Sequence, residues 1–199
     1  MIVAVVLSAG ESRRMGRPKA LLPIGDVSFL ERIVKSLQTT KVEKIIVVLG
    51  HNAGEIETKI GRLPVTIVVN PNYAQGQLSS LTAAIRALPA ENVDGILVHL
   101  VDHPFLSPDL VTRMIDRFYE SKKLIVVPKW NGRRGHPVIF SRRLFAELLS
   151  APLDQGAKSV VHAHTADTLE LETDDEGVTF DIDTPEDYQR HVGRTDGQT

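Results

Sequence analysis

The 199-residue sequence contains no cysteine, and this absence excludes several kinds of chemistry. A chain without thiols has no disulfide framework, no cysteine nucleophile and no zinc site built from thiolates. Neither positive nor negative charge is in large excess, since 23 basic and 25 acidic residues leave a formal net charge of −2. Such a balance argues against a protein that works mainly by binding nucleic acid or an anionic membrane. We therefore expect neither of these as a partner.

Long apolar runs are absent as well, and none approaches the roughly 20 residues that a membrane-spanning helix requires. The apolar opening, Ile2–Leu7, has no basic stretch before it and is not typical of a signal peptide. Hydrophobic residues make up 42% of the chain and charged residues 24%, a composition that favours a sizeable core over disorder. These features predict a cytoplasmic protein with one domain over residues 1–192 and a polar tail over 193–199.

Short apolar runs rich in β-branched residues recur along the chain and are typical of strands buried on both faces. They are Ile2–Leu7, Ile45–Leu49, Val65–Val69, Ile96–Val101 and Leu124–Val127, with a further strand expected at Pro137–Phe140. Between them lie stretches with helical spacing, such as the stripe of Leu110, Met114, Ile115 and Phe118. Alternating strands and helices predict an α/β fold with a mostly parallel sheet covered on both faces.

Helix boundaries are marked by capping residues. Ser107-Pro108 is typical of a helix start, and Ser28 is expected to cap the helix that contains Leu30 to Leu37. A second stripe, of Leu81, Ala84, Ile85 and Leu88, predicts another helix, and a further one is expected from about 142 to 149. In open α/β sheets, ligands bind outside the carboxyl ends of the strands, so the loops that follow these strands are the places to look for a site.

The loop after the first strand is basic and contains small residues. Its cations, set against Glu11 alone, are Arg13, Arg14, Arg17 and Lys19. Arginine forks, a lysine point charge and backbone amides near glycine suit a polyphosphate. The spacing matches neither of the familiar glycine-rich phosphate loops. The alternative is a solvated basic loop with turn glycines.

Two acidic segments lie outside the basic loop, one directly after a predicted strand and the other late in the chain. Asp102 comes directly after Val101 and either bonds loop amides or holds a divalent cation, because Mg²⁺ accepts one or two carboxylates together with substrate phosphates. In the second segment, strand alternation is expected to send Asp181 and Asp183 to the same side. A helix start at Thr184-Pro185 accounts for the acids that follow it, but not for these two.

The segment Leu7–Gly25, LSAGESRRMGRPKALLPIG, resembles the opening signature of the MobA-like NTP transferase family. The resemblance implies a single-domain, Rossmann-like, three-layer α/β/α fold of the nucleotide-diphospho-sugar transferase type. It implies that the loop wraps a triphosphate, with nucleotide-binding roles for Ser8, Ala9, Gly10, Arg14 and Lys19. Arg14, Lys19 and Asp102 would be the catalytic residues, and the implied cofactor is Mg²⁺.

Three further segments resemble the same family. The DIDTPEDY ending implies that Asp183, with Asp181 as second choice, joins Asp102 as a metal ligand. The segment from Gly76 to Leu81 implies that Ser79 and Ser80 lie beside the nucleotide, although serine at a helix start is often a cap alone. Gly135-His136-Pro137-Val138 implies an acceptor side with His136 and Arg134, where the alternative is a structural histidine.

Within the family, the resemblance is to the molybdenum cofactor cytidylyltransferase branch, because Ala9 stands where the guanylyl branch has a second glycine. The implied reaction joins a nucleotide from CTP to molybdopterin, a phosphorylated acceptor, and releases pyrophosphate. The alternatives are guanylyl transfer, nucleotide transfer to a sugar phosphate, and a non-catalytic nucleotide- or cofactor-binding protein. The sequence indicates neither an oligomeric state nor a chaperone role for a molybdoenzyme.

Overall fold

A mixed sheet forms the middle layer of the computed structural model, which describes residues 1–89 and 92–193. Its strands are β1 (Ile2–Ser8), β4 (Lys44–Leu49), β5 (Thr66–Val69), β6 (Gly95–Leu100), β7 (Ile125–Trp130), β8 (Arg133–Arg134), β9 (Val138–Ser141) and β10 (Thr168–Glu172). Their order is β10-β7-β9-β6-β1-β4-β5, with β8 paired to β7. The short strands β2 (Pro23–Ile24) and β3 (Val27–Ser28) form a separate hairpin.

The sheet is parallel except around β8 and β9. β1 pairs in parallel with β4 and β6, β4 with β5, and β7 with β10. β9 runs antiparallel to both of its neighbours, and β8 antiparallel to β7. The carboxyl ends of β1, β4, β5 and β6 therefore meet at one edge of the sheet, which confirms the mostly parallel arrangement.

Helices cover both faces of the sheet. They are α1 (Phe29–Gln38), α2 (Ala53–Ile60), α3 (Gln77–Arg86), α4 (Pro108–Ser121), α5 (Phe145–Ser150), α6 (Lys158–Ala163) and α7 (Pro185–His191). α1, α2 and α4 bury their apolar side chains against one face, and α3, α5 and α6 against the other. This arrangement confirms the three-layer α/β/α fold.

The predicted caps are present. The Ser28 hydroxyl accepts a hydrogen bond from the Glu31 amide, and the Glu31 carboxylate accepts one from the Ser28 amide at 2.7 Å, which forms a capping box. Ser107 caps α4 through the Leu110 amide, with Pro108 in the first position. The second predicted stripe is shortened, because α3 ends at Arg86 and Leu88 lies beyond it.

The strand expected through Asp181 and Asp183 is wrong, because residues 180–183 have no regular secondary structure. These residues connect a 3-10 helix that ends at Thr179 to α7, which begins at Pro185, and they pair with no strand of the described sheet. The amide of Ile182 instead donates to the carbonyl of Asp102 at 2.8 Å. This hydrogen bond fixes the C-terminal segment beside the turn after β6.

A third apolar cluster ties the chain's end to its beginning. It comprises Met15, Leu22, Ile24, Phe29, Ile182 and Val192, all buried. Met15 belongs to the basic loop and Ile182 precedes Asp183, so the cluster packs two predicted site segments against each other. Of the predicted tail, residues 194–199 lie outside the described part of the chain. No helix within residues 1–89 and 92–193 is long and apolar enough to cross a membrane.

Candidate active site

A cleft of about 310 Å³ lies at the carboxyl ends of β1 and β6. Its walls include the end of β1 with the basic loop, part of α2, the segment that opens α3, the turn after β6, and the C-terminal segment. Predicted site residues in its lining are Ser8, Ala9, Gly10, Arg14, Lys19, Ser80, Asp102 and Asp183. The structure therefore brings together residues from both ends and the middle of the chain.

The basic loop is held in place by its own hydrogen bonds. The Ser12 carbonyl accepts from the amides of Met15 and Gly16, both at 3.0 Å, and the Ser12 hydroxyl accepts from the Lys19 amide at 3.2 Å. Gly16 has a φ of 73°, in the left-handed region that favours glycine. With Met15 buried as an anchor, the loop directs Arg14 and Lys19 into the cleft.

Lys19 lies between the two predicted metal carboxylates. Its Nζ donates to Oδ1 of Asp183 and lies 3.5 Å from Oδ2 of Asp102. The Lys19 side chain is 11% exposed, so these contacts are shielded from bulk water. Arg14 binds the other oxygen of Asp183 through Nη2. A cationic pair from the first loop thus neutralises carboxylates from two distant segments.

These contacts set the charge of Asp183. Burial raises the pKa of the Asp183 carboxyl, but the hydrogen bond and charge of Lys19, followed by those of Arg14, lower it by more. The net pKa lies below the ordinary value, so Asp183 is ionised at neutral pH.

Asp102 has an oxygen that remains available. Its Oδ1 is buried and has no hydrogen-bond partner within the described residues, 1–89 and 92–193. The nearest ring nitrogen, Nε2 of His103, lies 3.9 Å away, and burial lowers the pKa of His103, which keeps its ring neutral. A buried carboxylate oxygen without a donor is a ligand suited to a hard cation.

Asp102 and Asp183 could hold Mg²⁺ or Mn²⁺ only together with ligands from the substrate and water. Among the described residues, no group of three or more histidine, aspartate or glutamate side chains could hold a metal ion by itself. Mg²⁺ commonly uses one or two carboxylates and completes its shell with substrate phosphates and water. Asp102 and Asp183 fit that pattern. Asp181, the second choice, is an exposed residue.

Ser79 and Ser80 lie in the first turn of α3 and share one partner. The buried Asn70 donates through Nδ2 to the hydroxyls of Ser79 and Ser80, at 2.9 and 3.0 Å. The Ser79 hydroxyl in turn lies 2.8 Å from the Gly76 carbonyl. Sequence reasoning missed Asn70, although it directly follows β5 at a strand end where ligands were expected.

Tyr73 is a further cleft-lining residue that sequence reasoning missed, and His51 contacts it from outside the lining. The Tyr73 hydroxyl lies 3.2 Å from Nδ1 of His51, and the Tyr73 ring lines the cleft. Gly50 permits this approach, because a Cβ there would lie 2.6 Å from the Tyr73 Cβ and 2.7 Å from the Ala9 carbonyl. The His51 amide donates to that same carbonyl at 3.1 Å, which joins the basic loop to the end of β4.

The two predicted acceptor residues lie in different surroundings. The His136 ring packs beside His103 at 5.1 Å between centroids, close to the turn that carries Asp102, and burial lowers the pKa of His136 to about 4. Arg134 is paired with Glu170 on β10, with Nη2 and Oε1 2.7 Å apart. Hydrogen bonds from Lys129 and then Arg134 hold the pKa of Glu170 below its ordinary value.

Comparison with known proteins gives one family and several close relatives. Residues 4–168 match the model of the MobA-like NTP transferase domain. The molybdenum cofactor cytidylyltransferase of Escherichia coli is 30% identical over 94% of this chain and 93% of its own length. The nicotine blue oxidoreductase of Paenarthrobacter nicotinovorans is 30% identical over 95% of both chains. A protein of Mycobacterium avium named "Probable molybdenum cofactor guanylyltransferase" is 31% identical over 80% of this chain and 78% of its own.

Solved structures give the same result for the fold. The crystal structure of Rv0371c from Mycobacterium tuberculosis in complex with manganese superposes with a TM-score of 0.82, at 30% sequence identity. The match covers 96% of this chain and 98% of that one.

Proposed function

This chain belongs to the MobA-like NTP transferase family and is a nucleotidyltransferase, and we propose that it transfers CMP from CTP to molybdopterin. In this reaction an oxygen of the acceptor's phosphate attacks the α-phosphorus of CTP. The bond from the α-phosphorus to the bridging oxygen breaks, and pyrophosphate leaves with the electron pair. Positioning and charge stabilisation are the main contributions that a protein makes to such transfers.

The observation that carries the proposal is the position of Lys19 between Asp102 and Asp183. A triphosphate that enters the cleft offers Lys19 and Arg14 phosphate oxygens in place of the Asp183 carboxylate. Both cations then stabilise the charge that develops on the departing pyrophosphate. The same exchange releases the two carboxylates from their internal partners.

Asp102 and Asp183 are the residues that would hold the divalent metal, which we propose to be Mg²⁺. When bound, the metal would neutralise phosphate charge and increase the electrophilicity of the α-phosphorus. The buried Oδ1 of Asp102, which has no hydrogen-bond partner among the described residues, supports this assignment, as does the manganese complex of the related Rv0371c. Lys19 is then a cation that moves between carboxylates and phosphates.

Separate features support the choice of the donor and of the acceptor. Ala9 lines the cleft and carries a methyl group that glycine lacks, and a size step of this kind is worth about 1–3 kcal/mol in discrimination. The E. coli relative is named a cytidylyltransferase. The M. avium relative is named a probable guanylyltransferase, so GTP is the alternative donor.

For the acceptor, His136 lies beside the turn that carries Asp102, where it could contact the incoming phosphate. Arg134 could join it after release from Glu170.

A direct assay tests the proposal. The protein is incubated with each of the four NTPs, Mg²⁺ and molybdopterin, and released pyrophosphate is quantified. We expect release with CTP above GTP. Preference for GTP would identify GTP as the donor in place of CTP. Activity with a sugar phosphate alone would replace molybdopterin as the proposed acceptor. No pyrophosphate with any pair would indicate a binding protein or a different reaction, such as that named for the oxidoreductase relative.

A further inference from the structure

His99 is a buried histidine that the proposed reaction does not use. It lies on β6, three residues before Asp102, and its side chain is 1% exposed. Its Nε2 lies 2.8 Å from the carbonyl oxygen of His103. A carbonyl can only accept a hydrogen bond, so Nε2 carries the proton and His99 donates. Burial lowers the pKa of His99 to about 3, which keeps this neutral form over the physiological range.

This histidine is costly as a packing residue. Its Nδ1 is buried and has no hydrogen-bond partner in the part of the chain that the structure describes. A buried acceptor without a donor destabilises the fold relative to an apolar side chain of similar size. Leu97, two residues earlier on the same face of β6, is fully buried and apolar. Core packing alone therefore favours leucine at position 99.

The hydrogen bond from His99 holds the carbonyl of His103, the residue that follows Asp102. Backbone hydrogen bonds fix the same turn elsewhere: the Val101 amide donates to Leu7 at 3.1 Å, and the Ile182 amide donates to Asp102 at 2.8 Å. The two backbone hydrogen bonds hold the amide of Val101, which precedes Asp102, and the carbonyl of Asp102 itself. His99 holds the carbonyl of the next residue, His103. Together they fix the backbone on both sides of Asp102, and hence the direction of its carboxylate.

We propose that His99 is a positioning residue that orients Asp102 for metal binding. The inference rests on the proposed function, because it takes Asp102 as a metal ligand. His99 itself touches neither metal nor substrate. Groups that orient a metal ligand commonly contribute tenfold or more to metal affinity, and a single neutral hydrogen bond acting through the backbone belongs at the lower end, about fivefold.

The test compares His99→Leu with His99→Gln. Leucine restores ideal packing and removes the donor, whereas the glutamine amide reaches the position of Nε2 and keeps it. The measured quantity is the gain in CTP affinity that Mn²⁺ provides, obtained by calorimetric titration with Mn²⁺ and with EDTA. We expect His99→Leu to reduce that gain by about fivefold, with the EDTA value unchanged, and His99→Gln to stay within about twofold of wild type. If His99 contributed only packing, His99→Leu would stay closer to the wild type than His99→Gln.

Control variants separate the possible outcomes. Ile96→Val trims the other face of β6 and should leave the gain unchanged, whereas Asp102→Asn should remove it. If Asp102→Asn loses the gain while His99→Leu keeps it, or if glutamine is no better than leucine, the positioning role is overturned and the proposed function stands. If the wild type shows no gain, or Asp102→Asn retains it, the metal assignment fails and takes the inference with it. Should His99→Leu not fold, His99→Asn replaces it, because its amide is one methylene too short to reach His103.

Discussion

Lys19 and Asp183 are 164 positions apart in the sequence and form an ion pair at the centre of the cleft. The contact places a lysine ammonium group beside the carboxylate that we propose for a metal ion. In the proposed reaction, Lys19 stabilises the acidic pair in the empty cleft and binds phosphate oxygens instead when a triphosphate enters. Metal binding and triphosphate binding should accordingly favour each other, because both require the same ion pair to open.

The first prediction follows from this exchange. Lys19→Met removes the charge and keeps most of the stem, so Mn²⁺ should bind the nucleotide-free variant more tightly than it binds the wild type. The same variant should lose about tenfold or more in CTP affinity and little in CMP affinity, since the charge serves the β- and γ-phosphates. Titration calorimetry measures all three quantities. Arg17→Met, in the same loop but over the Tyr188 ring, is the matched control and should change none of them. An equal loss for CTP and CMP would mean that Lys19 supports the loop or the nucleoside.

The second prediction concerns pH. The pKa of Asp183 is lower in the folded protein than its unfolded value of about 3.9, so its ion pairs stabilise the fold above that pH and lose this effect as the pH falls through the folded pKa. Asp183→Asn should therefore lower the free energy of unfolding by about 1 kcal/mol at pH 7 and by much less near pH 3. Urea unfolding at the two pH values measures the difference. Asp181→Asn, at an exposed position two residues away, is the control. A cost that does not depend on pH would contradict the ion-pair account.

The third prediction concerns Gly50. Gly50→Ala places a Cβ within 2.7 Å of the Ala9 carbonyl, so the basic loop must shift and CTP affinity should fall. Gly54→Ala is the matched control, because a Cβ at this helical position meets nothing within 4 Å. That variant should gain about 0.5–1 kcal/mol in stability and bind CTP normally. Thermal unfolding and CTP titration on both variants make the comparison, and normal CTP binding by Gly50→Ala would show that the loop does not need this close approach.

The strands and the largest helices could be predicted because local patterns encode them. Runs such as Ile45–Leu49 are apolar on both faces, and the caps at Ser28 and Ser107 act within four residues. α2 was missed because its eight residues bury Ile56 and Ile60 alone, too weak a stripe to recognise. β10 was missed because it is an edge strand whose residues are half-buried or exposed.

The same limits explain what was missed at the site. The basic loop and both acidic segments could be identified from their local clusters of charged residues, and the structure brings Lys19, Asp102 and Asp183 together. Asn70 follows a predicted strand end, but its role depends on its hydrogen bonds to Ser79 and Ser80, which only the folded structure shows. Tyr73 likewise lines the cleft only in the folded chain. The sequence does not indicate that Arg134 pairs with Glu170, because Glu170 belongs to β10, which no pattern predicts. His99 resembles any buried residue of an apolar strand until its hydrogen bond is seen.

The metal-binding role of Asp102 is tested most directly by measuring pyrophosphate release by Asp102→Asn with CTP, Mg²⁺ and molybdopterin. The substitution removes a charge and almost no volume, so thermal unfolding should show a folded protein. The account predicts a rate at least about a hundredfold below wild type, because a metal ligand is lost. Release at the wild-type rate by a folded Asp102→Asn variant would contradict it.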